Sequence, residues 1–330
     1  MKENLFYEKG NALIDKEKYE EAIDEFNKAL LEGFDKEKCF YNIAYCYDIL
    51  EDYEKAINFY SETLNINPNN IDALSSVALL LHNVEKYEEE IQYVKKLLKI
   101  EPDNVEYLYY YAETIIELGK YDDALLCLDK IIKLDESYCL AYYKKGVIYE
   151  INNCYDKALN FYDKALELDN QFIDAYVAAG RVLTETSEYD RALKYLNEAI
   201  EIDDEDPYPI FSKGVLLMAV EKFDEAKAHF ENALELTEDT KLVYFHLALL
   251  EDAKGNYEEA IKYYDKVIEL DNKDVSSYNN KGLALYYLKK YEAALECYDK
   301  ALEIDPTYER ALKNKEKLKL YIYNGIKKQH

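Results

Sequence analysis

Residues 139–172 read CLAYYKKGVIYEINNCYDKALNFYDKALELDNQF. Tyr142, Gly146 and Tyr149 follow one another at four- and three-residue steps, so they share one face of an amphipathic helix. Tyr155, Ala158, Tyr162 and Ala165 do the same on a second helix. The link Asn152-Asn153-Cys154 is short, which forces the two helices antiparallel. Small residues at 146 and 158 let two helix backbones approach closely, and the rings at 155 and 162 fill the volume beside that contact. One such hairpin cannot bury its faces alone, so it must stack against neighbours.

The neighbours lie in the same chain. Counting in 34s places repeat starts at Glu3, Glu37, Ile71, Val105, Cys139, Ile173, Pro207, Lys241 and Val275, nine repeats over 3–308 with no insertion or deletion. Position 8 is always Gly or Ala: Gly10, Ala44, Ala78, Ala112, Gly146, Gly180, Gly214, Ala248 and Gly282. Position 17 is always aromatic, from Tyr19 to Tyr291, with Phe223 the one phenylalanine. Position 20 is Ala in eight of nine repeats and Glu90 in the third.

This pattern resembles the tetratricopeptide repeat family, with Gly146, Tyr149, Ala158, Tyr162 and Ala165 carrying the match in one repeat. The resemblance implies an all-α fold, a right-handed α-solenoid superhelix of antiparallel helix pairs, with first helices lining a concave face. Departures are specific. Trp is absent, and Lys9, Lys145, Lys213 and Lys281 stand at position 7, where Leu is usual. A lysine there can lay its stem on apolar surface while its ammonium reaches water. In the third and fourth repeats Glu90, Leu97 and Ile131 replace smaller residues, which predicts looser or shifted packing.

Residues 309–324, ERALKNKEKLKLYIYN, follow the ninth repeat. Ala311, Leu312, Leu318 and Ile322 make an apolar face, resembling the helix that closes the last repeat in the family, and residues 325–330 are expected to form a basic tail.

The chain has 330 residues and a formal net charge of −27, which disfavours a nucleic-acid partner because electrostatics dominates phosphate-backbone binding. With only 9 Gly and 5 Pro it has little material for the tight turns of an all-β fold. No apolar run approaches a membrane span, so no membrane partner is expected and a cytoplasmic location is the default. The six cysteines show no CxxC pair and are expected to be free thiols. There is no HExxH, P-loop, GxGxxG or GxSxG, and the four histidines are dispersed, so no catalysis, cofactor or metal is expected. Asp203-Asp204-Glu205-Asp206 reads as a loop, with Asp206 capping a helix that begins at Pro207.

Function is sought at positions 2, 5, 6, 9, 12 and 13, which the hairpin does not need for its own packing. Of 36 tyrosines, eighteen sit at structural positions and nine at these. The candidate partner-binding residues are Tyr7, Asn11, Tyr41, Asn42, Tyr45, Tyr109, Tyr110, Glu113, Tyr143, Lys144, Arg181, Phe211, Phe245 and Tyr286. Tyrosine offers large contact area with few rotatable bonds. The same positions carry eleven acidic residues, among them Asp48, Asp72, Glu106 and Glu117, against Lys38, Lys144 and Arg181. Some family members hold acidic peptide termini in a clamp of Lys, Asn and Arg. Here Asn11 and Asn42 match it, but Tyr7, Asp72 and Ser76 replace its cations, so that ligand is excluded. An acidic, tyrosine-rich groove suits an apolar, aromatic or basic segment of a protein or peptide partner. The expected function is a protein–protein interaction scaffold. The alternatives are a self-associating structural protein and a peptide-binding sensor that changes curvature.

Overall fold

The computed structural model describes residues 4–327. Among these residues the regular elements are nineteen α-helices, with no β-strand. The chain divides into two compact units, Met1–Cys154 and Tyr155–His330. The first contains α1 (Leu5–Ile14), α2 (Tyr19–Leu31), α3 (Lys36–Ile49), α4 (Tyr53–Ile66), α5 (Ile71–Asn83), α6 (Tyr87–Ile100), α7 (Val105–Glu117), α8 (Tyr121–Leu134) and α9 (Cys139–Ile151). The second contains α10 (Tyr155–Leu168), α11 (Ile173–Glu185), α12 (Tyr189–Ile202), α13 (Pro207–Ala219), α14 (Phe223–Leu236), α15 (Thr240–Ala253), α16 (Tyr257–Leu270), α17 (Val275–Tyr287), α18 (Tyr291–Ile304) and α19 (Glu309–Lys327). Within each unit every helix packs on the next.

The helix ends repeat as strictly as the sequence. The residue at position 15, just past each odd-numbered helix from α1 to α17, has positive φ. These residues are Glu17, Glu51, Glu85, Gly119, Asn153, Ser187, Glu221, Gly255 and Lys289. The next residue sends its N–H back five residues, as Asp52 does to the Tyr47 carbonyl (2.9 Å) and Lys120 to Ile115 (2.8 Å). This left-handed cap satisfies carbonyls that the helix end would leave bare. α2 closes in the same way, with Gly33 at positive φ and the Phe34 N–H on the Ala29 carbonyl (3.0 Å), but most other even-numbered helices close differently. At position 31 the side chains of Asn67, Asp135, Asp169, Asp203, Asp271 and Asp305 accept the backbone N–H two residues on, at 2.8–3.2 Å. Asp206 caps α13 as its position predicts, accepting the Tyr208 N–H at 2.9 Å.

The cores are built from position 24. Phe26, Tyr60, Tyr162, Phe230, Tyr264 and Tyr298 all stand there, and all are fully buried. Position 8 must be small because of these rings: a Cβ on Gly10 would lie 2.5 Å from Phe26, and one on Gly214 2.7 Å from Phe230. Leu97 and Ile131 are fully buried, so packing is closed at those two positions, and the looseness expected in the third and fourth repeats lies beside Glu90, where a cavity of about 200 Å³ opens. The position-7 lysines do more than shelter apolar surface. Lys145 pairs with Asp129, Lys281 with Asp265, and Lys315 of α19 with Asp299, each reaching back onto the preceding helix. Fully burying a large apolar side chain contributes about 1.5–3 kcal/mol, whereas a half-exposed ion pair contributes about 0–1 kcal/mol. Ring burial therefore dominates the stacking.

α19 docks on α17 and α18 through Ala311 and Leu318, both buried, while Leu312 is 46% exposed and lies off the docked face. The helix runs on to Lys327, past the expected boundary at 324, and residues 328–330 of the expected tail lie outside the described residues.

Candidate functional site

The first-helix face is organised as rungs, in which position 6 of one repeat meets position 5 of the repeat before it. Asn42 Nδ2 donates to Asn11 Oδ1 (2.9 Å) and to the Tyr7 hydroxyl (3.2 Å). Ser76 hydrogen-bonds Tyr41, whose phenol burial pushes up in pKa. Lys144 pairs with Glu113 Oε1 (2.8 Å) and lies 6.0 Å from the Tyr109 ring centre. In the second unit Phe211 meets His246 edge-on at 4.8 Å, and Asn314 of α19 donates to Asn279 Oδ1 at 3.0 Å.

These rungs sort the candidate residues. Tyr7, Asn11 and Asn42 are joined to one another, and Tyr7 also packs against Phe26 and Phe34. Tyr109 is only 8% exposed, its ring covered edge-on by Tyr138 and its hydroxyl bonded to Glu113. It forms a wall of the face. Tyr45 and Tyr110 project, 36% and 40% exposed, while Tyr41, Tyr143 and Lys144 are half-buried. In the second unit Arg181 is exposed on α11. Phe211 and Phe245 flank His246, and Phe245 also meets Tyr264 edge-on. Tyr286 joins Tyr287, Tyr291 and Tyr321 in a ring cluster.

One rung in the first unit is incomplete. Position 5 of the third repeat is Ser75, so Tyr110 at position 6 of the fourth has no ring to meet. A cavity of about 200 Å³ opens there, between α5, α6 and α7. α5 lines it with Ser75, Leu79 and His82, α6 with Glu90, and α7 with Tyr110 and Glu113. Leu79 at its edge is 58% exposed. Glu90, 3% exposed, accepts from Thr114 Oγ1 (2.7 Å) and lies 3.1 Å from His82 Nδ1. Burial raises its pKa above the usual carboxylate value. Sequence reasoning missed Ser75, Leu79, His82 and Glu90 as a group. The available signal was a ring missing at position 5 together with a carboxylate at position 20 of the same repeat.

Elsewhere the chemistry is quiet. Cys39 and Cys46 are buried, which pushes their thiols up to about 11 and about 12 and keeps them protonated. Among the described residues no group of His, Cys, Asp and Glu converges as metal ligands would. Among the described residues no helix is long and apolar enough to cross a membrane.

Family models described as tetratricopeptide repeat match residues 4–31, 116–171, 153–209, 211–277 and 275–308. A model described as anaphase-promoting complex, cyclosome, subunit 3 matches residues 53–131. Comparison with curated proteins gave no match. Among solved structures, one chain of the APC/C hetero-tetramer Cut9–Hcn1 is 18% identical with a TM-score of 0.65, covering 92% of this chain and 59% of its own length. The chain therefore spans about three fifths of that relative. A tetratricopeptide repeat protein from Parabacteroides merdae is 18% identical with a TM-score of 0.64, covering 76% of this chain and 99% of its own. Yeast Tom70 is 18% identical with a TM-score of 0.54, covering 96% and 88%. At such identity the likeness is one of fold.

Proposed function

The chain belongs to the tetratricopeptide repeat family, and from that premise we propose that it is a non-catalytic scaffold whose first-helix face binds a segment of a partner protein. On this reading residues 3–308 are nine repeats and α19 is the cap. The bound segment is apolar or aromatic with basic residues.

The observation that carries the reading is the composition of the first unit's exposed face. Tyr45, Leu79 and Tyr110 project there, with exposed Asp72 and Glu106 on the same helices. Solvent-facing apolar side chains with exposed carboxylates on neighbouring turns of the same face suit a ligand that brings both apolar bulk and positive charge.

The test is a panel of immobilised decapeptides, basic-apolar against acidic, probed with wild type and a Tyr45→Ala/Tyr110→Ala variant. These two side chains are exposed and outside the core, so the variant keeps its fold. Retention of wild type on basic-apolar peptides, lost in the variant, supports the reading. Retention on acidic peptides alone overturns it.

A further inference from the structure

The described residues include three buried glutamates, and two of them have a lysine. Glu25 holds Lys9 at 2.7 Å and Lys28 at 2.8 Å. Glu251 holds Lys227 at 2.7 Å and accepts from Asn256 at 2.7 Å. Both carboxyls titrate below their ordinary value. Glu90 titrates above it, and among the described residues no lysine or arginine pairs with it. Its neutral support is thin as well. The Thr114 hydroxyl has one proton and two acceptors at 2.7 Å, Glu90 Oε1 and the Tyr110 carbonyl, so it cannot serve both fully. His82 lies 3.1 Å away and is a cation only when protonated.

A buried carboxylate without a partner cation is costly, and a site that carries one is incomplete by itself. Here the cavity left by the missing ring at Ser75 opens directly onto it. Its 200 Å³ equals the liquid volume of about six or seven waters, enough for a long side chain. Its wall is graded, with Leu79 and the Tyr110 ring towards the edge and Glu90 and Glu113 beside them. Glu113 already holds Lys144, so Glu90 is the carboxylate left to the cavity, and apolar surface beside it is complementary to an apolar stem that ends in positive charge.

We propose that this cavity receives the side chain of a lysine or arginine from the bound segment, with Glu90 as its counter-charge. The missing cation of Glu90 is then supplied by the ligand rather than by the chain. The inference rests on reading the face as a peptide-binding surface, and it names the residue that the third and fourth repeats select.

The test uses the full chain with methyl-labelled Ala and Leu, observing Ala78 and Leu79 by NMR. The probes are N-acetyl-arginine methylamide and N-acetyl-lysine methylamide, with the citrulline and norleucine analogues as uncharged controls. Two variants are compared: Glu90→Gln keeps the shape, and Glu90→Ala installs the residue that the other eight repeats carry, so folding is preserved. Saturable shifts with the cationic probes, about tenfold weaker with the controls and with both variants, support the inference. Equal shifts with charged and neutral probes, or full binding by Glu90→Gln, overturn it. The peptide panel separates the two readings. Peptides held by wild type and by Glu90→Gln alike sink the pocket and leave the face standing. Cationic probes that bind in the absence of any peptide retention sink the face and leave the pocket.

Discussion

Lys281 on α17 pairs with Asp265 on α16, sixteen residues earlier, and Lys145 pairs with Asp129 at the same offset. Lys315 repeats the relation with Asp299, so α19 docks as a further first helix would. The pair is regular but weak. The side chains of Lys281 and Asp265 keep 24% and 44% of their exposure, which leaves water to screen them. Lys281→Leu should change the unfolding free energy by less than about 1 kcal/mol, measured by urea denaturation. A loss of several kcal/mol would show the ion pair to be a structural tie.

The left-handed residue after each first helix makes a second prediction. A non-glycine residue there carries about 1–2 kcal/mol of backbone strain, while glycine costs roughly 0.5–1 kcal/mol in chain entropy. Glu51→Gly, at φ 59°, should therefore stabilise by up to about 1 kcal/mol, and Glu17→Gly with Glu85→Gly should add to it. Thermal unfolding checks this, and a lower midpoint for the triple variant contradicts it.

Glu90 and Glu251 should respond in opposite directions to the same substitution. Glu90→Ala removes a buried carboxylate that lacks a fixed cation, and should raise stability by about 1–3 kcal/mol. Glu251→Ala strips Lys227 and Asn256 of their acceptor, and should lower it by about 1–3 kcal/mol. Denaturant titration of both variants at neutral pH decides the matter, and losses of equal size would mean that Glu90 is satisfied as it stands.

His246 gives the second unit a pH dependence. Burial among Phe211, Phe230 and Phe245 holds its pKa below the ordinary 6.5, while Nδ1 donates to the Leu242 carbonyl at 3.0 Å. The folded chain thus binds the proton less readily than the unfolded chain. The contribution is full above 6.5 and is lost as pH falls from there through the lower folded value, at about 1.4 kcal/mol for each unit of depression. His246→Gln should flatten this segment of the stability profile between pH 7 and 5. Identical profiles for variant and wild type would refute it.

The period of the chain carried most of the fold because it constrains positions that touch. Gly10 against Phe26 and Gly214 against Phe230 are contacts sixteen residues apart within one repeat, so a single alignment of the chain on itself exposes them. The site was harder to read. Asn42 finds Asn11 and Tyr7 across repeats, and whether a polar residue at position 6 is engaged depends on its neighbour's identity. Tyr109 looked available from its position and is covered by Tyr138, which stands in the linker before α9. The cavity was least legible, because it comes from what Ser75 lacks. Glu90 alone reads as drift, and it gains meaning only when its carboxylate is seen to be held by Thr114 and His82 beside an open cavity.

Because each rung joins two successive repeats, the side-chain pairings on this face are set at junctions. Excising residues 71–104 would keep the helical register and leave no loose end, yet it would set Tyr110 directly above Tyr41. Two rings would then meet where a hollow now stands, and the buried acid would leave with the excised segment. A lineage of such chains can thus gain or lose a pocket by duplication and deletion of whole repeats, with no point substitution at the site.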